Sequence, residues 1–333
     1  MSEPITYKDA GVDIEKKEET FSRIKKKISA TRTPEVLTDV GLFGGFYQFP
    51  INRFQEPVLV SSTDGVGTKI KVAFMANNHN TIGQDLVNHC INDIAVCGAK
   101  PLFFLDYFAC GKLVPTIYEE VLEGITQACK TVGIPLIGGE TAEMPDFYQQ
   151  SEYDLAGTIV GAVDKSKVIN GRNIKRGDVL IGVSSNGLHT NGFTLARRVL
   201  FPKFKLEDHV EELGCTLGDE LLKLHANYYP LIAEAVAKFD IKGIVHVTGG
   251  GILKNSQRLL PENLSIDIDW NSWEAPYIFQ LIQKTGNVPE ADMRQTFNMG
   301  IGLIFILSAD QSKNFIQWGN KTEFGWSNIG KVN

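Results

Sequence analysis

Pro57-Val58-Leu59-Val60-Ser61-Ser62-Thr63-Asp64-Gly65-Val66-Gly67-Thr68-Lys69 is the stretch whose reading decides the fold class. Its first six residues form an apolar, β-favouring run that reads as a strand. The run then gives way to glycines and polar side chains at the strand's end, where open α/β sheets build their sites. Gly65 and Gly67, beside Thr68 and Lys69, offer exposed backbone N–H groups and a cation, a combination that suits phosphate. Asp64 is placed to hold a Mg²⁺ that bridges phosphate oxygens. The loop has neither the order and spacing of a Walker A loop nor those of a Rossmann fingerprint. The competing reading is an ordinary turn whose glycines take positive φ.

Outward from this loop, strand-like and helix-like runs alternate along the whole chain, which predicts α/β or α+β layers. The clearest strands are 57–62, 101–108, 134–137, 158–163, 179–184, 243–247 and 301–307. The clearest helices are 15–29, 84–98, 116–132, 194–200, 219–239 and 275–286. A polar stretch over 164–178, with Asn170-Gly171 and Gly177-Asp178, carries turn chemistry and reads as a linker. Two α/β domains are therefore expected, 1–165 and 166–333.

The helix at 84–98 is two-faced on a 100° wheel. Asp85, Asn88, His89, Asn92 and Asp93 share one arc, and Leu86, Val87, Cys90, Ile91, Ile94 and Cys97 fill the other. Asp93 sits at the border, where a carboxylate loses solvation unless a metal or hydrogen-bond donors compensate. Beside Asp64 it reads as a second Mg²⁺ ligand; the competing reading is a solvated helix face. Gly138-Gly139-Glu140-Thr141-Ala142-Glu143-Met144-Pro145 supplies a further acidic cluster at a strand end. Val183 to Gly192 links a strand to a helix through Ser185, Asn186, His189, Thr190 and Asn191, an anion-friendly loop. His189 is there the one histidine of six set among glycines and polar residues. Thr248-Gly249-Gly250-Gly251 repeats the theme, and three adjacent glycines point to close approach of a phosphate.

The totals narrow the class. The 333 residues exceed one ordinary domain, and the apolar and charged fractions are those of a globular protein. A net charge of −6 argues against a duplex nucleic-acid binder, and Arg23, Lys25, Lys26 and Lys27 form the single basic cluster, read as a solvated helix face. The start carries no apolar signal region and no run is long enough to span a membrane. Five cysteines fall in no metal-ligand spacing and read as reduced core thiols. Sequons at Asn263 and Asn320 read as chance, and a cytoplasmic protein is expected.

Several stretches together resemble the phosphoribosylformylglycinamidine cyclo-ligases, also called aminoimidazole ribonucleotide synthetases. They are Tyr7-Lys8-Asp9-Ala10-Gly11-Val12-Asp13-Ile14, the 64–69 loop, Pro101-Leu102-Phe103-Phe104-Leu105-Asp106-Tyr107, 138–145, 185–192, 248–251 and Thr296-Phe297-Asn298. The glycine-rich pieces are shared with a wider superfamily, whereas the opening motif with 103–107 is particular to this family. The resemblance implies an N-terminal α/β domain whose strands pair across a homodimer into a β-barrel, and a C-terminal α/β domain. It implies an ATP site near the dimer interface, with Lys25 at the position of a nucleotide-associated lysine. It also implies ATP-dependent closure of an imidazole ring through an O-phosphorylated iminophosphate, with ADP and phosphate released.

On this reading Mg²⁺ falls to Asp64, Asp93 and Glu140. The nucleotide phosphates fall to Gly65, Gly67, Thr68, Lys69 and Lys25, with Asn191 contributing, and Thr248, Gly249, Gly250 and Gly251 hold either these or the ribose 5-phosphate. His189 steadies developing charge or moves a proton. One departure stands out: where the family usually reads proline-threonine-arginine after Leu221-Leu222, this chain has Leu224-His225-Ala226-Asn227. Other superfamily enzymes are less similar. No terminal cysteine marks the hydrogenase maturation dehydratase, no cysteine near the start marks selenophosphate synthetase, and the formylglycinamidine synthetase is far longer. Thiamine-phosphate kinase and a non-catalytic nucleotide-binding dimer remain as alternatives.

Overall fold

The structure, a computed structural model, describes residues 14–150 and 152–333, so most of the opening motif lies outside the described residues. The first half runs α1 (Ile14–Ser29), β1 (Pro57–Gly65), α2 (Ile70–Ala76), α3 (Asn80–Ala95), β2 (Lys100–Cys110), α4 (Pro115–Val132), β3 (Leu136–Glu143) and β4 (Tyr153–Asp164). Its sheet has the order β1-β4-β2-β3, with only β2 and β3 parallel. β4 alternates cleanly, sending Tyr153, Leu155 and Ile159 inward while Asp154 is exposed. Phe104 and Phe108 of β2 join them against Leu86, Val87, Cys90 and Ile91 of α3 in one buried cluster. Burying each such side chain contributes about 1.5–3 kcal/mol. Helices cover this face only: on the other, Leu59 stays 65% and Tyr107 39% exposed. The sheet is open, and no barrel closes within the described chain.

Two glycines set how α3 meets α4. A Cβ on Gly83 would lie 2.0 Å from the Val121 carbonyl oxygen, and one on Gly124 would lie 2.0 Å from that of Asn80. The helices therefore cross backbone against backbone, at a spacing no larger residue permits.

The second half runs β5 (Val179–Ser184), α5 (Phe193–Leu200), β6 (His209–Val210), β7 (Cys215–Thr216), α6 (Leu217–Leu221), α7 (Tyr229–Lys238), β8 (Gly243–His246), α8 (Gly251–Gln257), β9 (Ile266–Ile268), α9 (Tyr277–Gly286), α10 (Glu290–Thr296), β10 (Ile301–Leu307), α11 (Ser312–Gly319) and β11 (Trp326–Val332). Its main sheet, β8-β10-β5-β11-β9, is antiparallel throughout. β10 is buried along its whole length, because it lies centrally with cores on both faces. That accounts for its unbroken apolar run.

Two sequence expectations are corrected. The helix expected over 219–239 is split into α6 and α7, with 222–228 between them. Pro230 fits only the first turn of a helix, and α3 captures the backbone before it. The Asp85 carboxylate accepts the His225 N–H at 2.7 Å, and the Asn92 side-chain amide oxygen accepts that of Tyr228 at 2.9 Å. Asn88 and Asn92 in turn donate to the carbonyls of His225 and Ala226 at 2.9 and 2.8 Å. The polar arc of α3 is accordingly not a solvated face. Asp85 and Asn92 are 0% exposed, Asn88 and His89 are buried, and each polar group has found a partner in the second half of the chain.

All five cysteines are free, and Cys90, Cys110 and Cys129 are buried as expected. No helix among the described residues is long and apolar enough to cross a membrane.

Candidate active site

Asp64 near the end of β1 and Asp93 in the last turn of α3 are brought together between the two sheets. Each carboxylate is partly open, with side-chain exposure of 39% and 28%. Asp64 accepts the Gly65 N–H at 3.0 Å and faces His89 Nε2 at 3.2 Å. Asp93 accepts the Ser62 hydroxyl at 3.1 Å and meets His246 Nδ1 at 2.8 Å. Burial alone would raise both carboxyl pKa values. The hydrogen bonds and charge of His89 and His246 outweigh it and hold both below the usual carboxylate range. The pair is thus ionised at neutral pH. They line a cleft of about 470 Å³ with Ser62, His246, Thr248, Asn255 and Arg258.

Behind the carboxylates lies a chain of imidazoles. His89 Nδ1 is 2.9 Å from Thr190 Oγ1, which is 3.3 Å from His225 Nδ1. His225 Nε2 is 2.9 Å from His246 Nε2, which completes a path from Asp64 to Asp93. Although burial opposes it, the bond to Asp64 raises the His89 pKa, whereas burial lowers that of His246 and, together with His189, that of His225. Sequence reading gives no role to His225, His246 or Arg258. The signal for His246 lies in its place, at the end of a buried strand and two residues before Thr248.

His189 is buried and stacks on His225 with ring centroids 4.2 Å apart. Its backbone takes φ +61°, and neither ring nitrogen has a hydrogen-bond partner. Burial and the nearby His246 and Lys69 hold its pKa well below 6.5, so the ring is neutral. It is not among the residues lining the cleft. In the structure His189 thus packs on His225, and its ring nitrogens meet no protein donor or acceptor.

Lys69 is also relocated. Its ammonium is 0% exposed, 2.7 Å from Asp85, and donates to the Lys223 carbonyl at 2.6 Å. The cation expected to meet phosphate is spent inside the protein. Thr68, by contrast, is exposed and bonds Thr194 at 2.9 Å, and Gly67 takes φ +66° in the turn. Lys25 lies exposed on α1.

Glu140 does not join Asp64 and Asp93. Asp64 pairs across the sheet with Gly157, that with Asp106, and that with Gly139. β1 and β3 are the two edges, three strand spacings or about 14 Å apart. Glu140 instead lines a separate pocket of about 640 Å³ beside Asp106. Burial pushes the Asp106 carboxyl up to about 7.

The triple glycine is largely explained by packing. A Cβ on Gly251 would lie 1.9 Å from the Arg294 carbonyl oxygen. The N–H groups of Gly250 and Gly251 donate to Gln295 and Thr248 at 3.0 and 3.1 Å, so neither is left for an anion. Gly249 faces Asn191, whose amide oxygen is 3.1 Å from its would-be Cβ, and Thr248 lines the cleft.

Known proteins share this fold. Residues 50–163 match the AIR synthase related protein, N-terminal domain, and residues 175–333 match the C-terminal domain of the same group. Among solved structures, thiamine-monophosphate kinase from Stenotrophomonas maltophilia superposes with a TM-score of 0.70 at 18% identity, covering 93% of this chain and 92% of that one. Hydrogenase maturation protein HypE in complex with ATP gives 0.71 at 16% identity, covering 97% and 88%. At such identities the likeness speaks for the fold.

Closer relatives narrow the class. The chain is 50% identical over 330 residues to the phosphoribosylformylglycinamidine cyclo-ligase of Thermodesulfovibrio yellowstonii, covering 98% of this chain and 96% of the relative. It is 48% identical over 328 residues to that of Acetivibrio thermocellus, with the same coverage. The chain belongs to the phosphoribosylformylglycinamidine cyclo-ligase family and is an enzyme of the ligase class.

Proposed function

We propose that the chain closes the imidazole ring of 5-aminoimidazole ribonucleotide from formylglycinamidine ribonucleotide in the cytoplasm, with ATP consumed and ADP and phosphate released. The observation that carries this reading is full-length similarity to named cyclo-ligases, joined to an ionised carboxylate pair in an open cleft. Residues 1–165 form the nucleotide-binding and dimerisation domain, and 166–333 the second α/β domain.

Loss of the formyl amide oxygen as water is slow because hydroxide leaves poorly. Transfer of the γ-phosphoryl group to that oxygen breaks the bond to ADP and makes an iminophosphate. The amidine nitrogen of the same molecule then attacks the imidate carbon, loses a proton, and expels phosphate as the C–O bond breaks. Because the attack is intramolecular it gains a high effective molarity, and the protein's work is positioning and charge neutralisation. Two ionised oxygen donors in one cleft fit Mg²⁺, so Asp64 and Asp93 would hold it, where it neutralises phosphate charge. The turn at 65–68, exposed Lys25 and Arg258 are the groups available to the nucleotide or substrate phosphates.

The experiment is isotopic. With ¹⁸O in the formyl group, the label is expected in the released inorganic phosphate. Label appearing in water while the product still forms would overturn phosphoryl transfer, and a phosphorylated product retained would indicate a kinase.

Assembly follows from the uncovered sheet. Leu59 and Tyr107 on its open face, with Leu42, Phe43 and Phe46 nearby in sequence to β1, are large apolar side chains left exposed, which supports assembly through this face. A second copy pairing there would close the two sheets into a barrel and bury it. Sedimentation at micromolar concentration should give a homodimer; a stable, active monomer would contradict the assignment.

A further inference from the structure

The nitrogen atoms of His246, which lines the cleft, and of His89, buried behind Asp64, go beyond what magnesium needs. One ligand atom each from His89, Asp93 and His246 lies within 4.8 Å of the others. Two atoms bound at about 2.1 Å to one tetrahedral, zinc-sized ion are about 3.4 Å apart, so closing of the widest pair by at most about 1.4 Å completes the set. The rings are already oriented for it. His89 is anchored through Nδ1 to Thr190 at 2.9 Å, and His246 through Nε2 to His225 at 2.9 Å. The inner nitrogens, His89 Nε2 and His246 Nδ1, are left facing Asp64 and Asp93. Anchoring of the outer nitrogen is how proteins fix metal-binding histidines.

The proton count is consistent. The Thr190 oxygen has two lone pairs and can accept N–H from both His89 Nδ1 and His225 Nδ1. His225 Nε2 then carries a lone pair and accepts the N–H of His246 Nε2. That arrangement belongs to the ion-bound state: without an ion, His89 Nε2 and His246 Nδ1 carry the protons that face Asp64 and Asp93, and a bound ion displaces them.

We propose that His89, Asp93 and His246 form a binding site for a borderline divalent transition ion of the zinc type. Two imidazoles and one carboxylate, with the cleft leaving further positions open, are a donor set for such ions, whereas magnesium prefers oxygen alone. Asp64, 3.2 Å from His89 Nε2, adds compensating charge. The site shares Asp93 with the magnesium reading above but stands on the two histidines.

The test is metal binding by the full-length, nucleotide-free protein. Co²⁺ should produce visible absorption bands that saturate at one ion per chain, and Zn²⁺ should bleach them. His89→Ala and His246→Ala should each weaken Zn²⁺ binding at least about a hundredfold. His225→Phe, which keeps a ring but removes the anchor of His246, should weaken it about tenfold or more. Equal affinity in wild type and His246→Ala, or absence of the bands, overturns the site. If the variants fail to fold, X-ray absorption of the zinc-loaded wild type decides: two imidazoles in the coordination shell uphold it, and fewer overturn it. Turnover with Mg²⁺ is scored separately. Histidine-dependent zinc binding without ring closure removes the proposed reaction and keeps the site; ring closure without zinc binding does the reverse.

Discussion

Asp64→Asn should lower kcat at least about a hundredfold while leaving the fold in place. The carboxylate is partly open at the end of β1, and its bonds are to its neighbour's N–H and to His89. A partly exposed pair of this kind contributes about 0–1 kcal/mol, so the melting transition should barely move. The catalytic loss is of the size found when one preorganised electrostatic group is removed. Steady-state ADP release with Mg²⁺ and formylglycinamidine ribonucleotide, read beside a thermal melt, checks both halves. Turnover near the wild-type value would take Asp64 out of the metal site.

Lys69→Met should do the opposite, costing stability on the order of 3–5 kcal/mol. The Lys69–Asp85 pair is 0% exposed on both sides, and removing the ammonium leaves a carboxylate stranded in the interior. Burial already raises the Asp85 pKa and lowers that of Lys69, against their mutual attraction. Adding Asp85→Asn should recover much of the loss, since the amide oxygen can still accept the His225 N–H while the stranded charge disappears. Urea unfolding of the single and double variants measures this. A Lys69→Met variant of unchanged stability but raised KM for ATP would restore the phosphate role expected from the sequence.

The strands 179–184 and 301–307 are legible to the residue, because period and composition suffice where a strand is wholly buried. Asp64 and Asp93 are legible too, as carboxylates at an element's end or at the border of an apolar face. What the sequence could not disclose depends on where the two halves dock. Asp85, Asn88, His89 and Asn92 have the spacing of a wetted face, and it is the backbone of 225–228, with Thr190 and Lys69, that turns that face into an interior. For the same reason Lys69 reads as a free cation, and His225 is given no role. Glu140 misleads by another route: its motif carries the right chemistry at a strand end, but strand order, which periodicity does not encode, sets it on the far edge.

The Gly83–Gly124 crossing gives α3 the properties of a lever. Ten residues separate Gly83 from Asp93, so the carboxylate rides about 15 Å along the helix from its fulcrum. A tilt of only about 4° at the crossing would swing Asp93 by about 1 Å, a displacement that can cost a hundredfold in rate. The precision of the cleft is therefore governed at a distance, by two absent side chains that let one backbone rest on another.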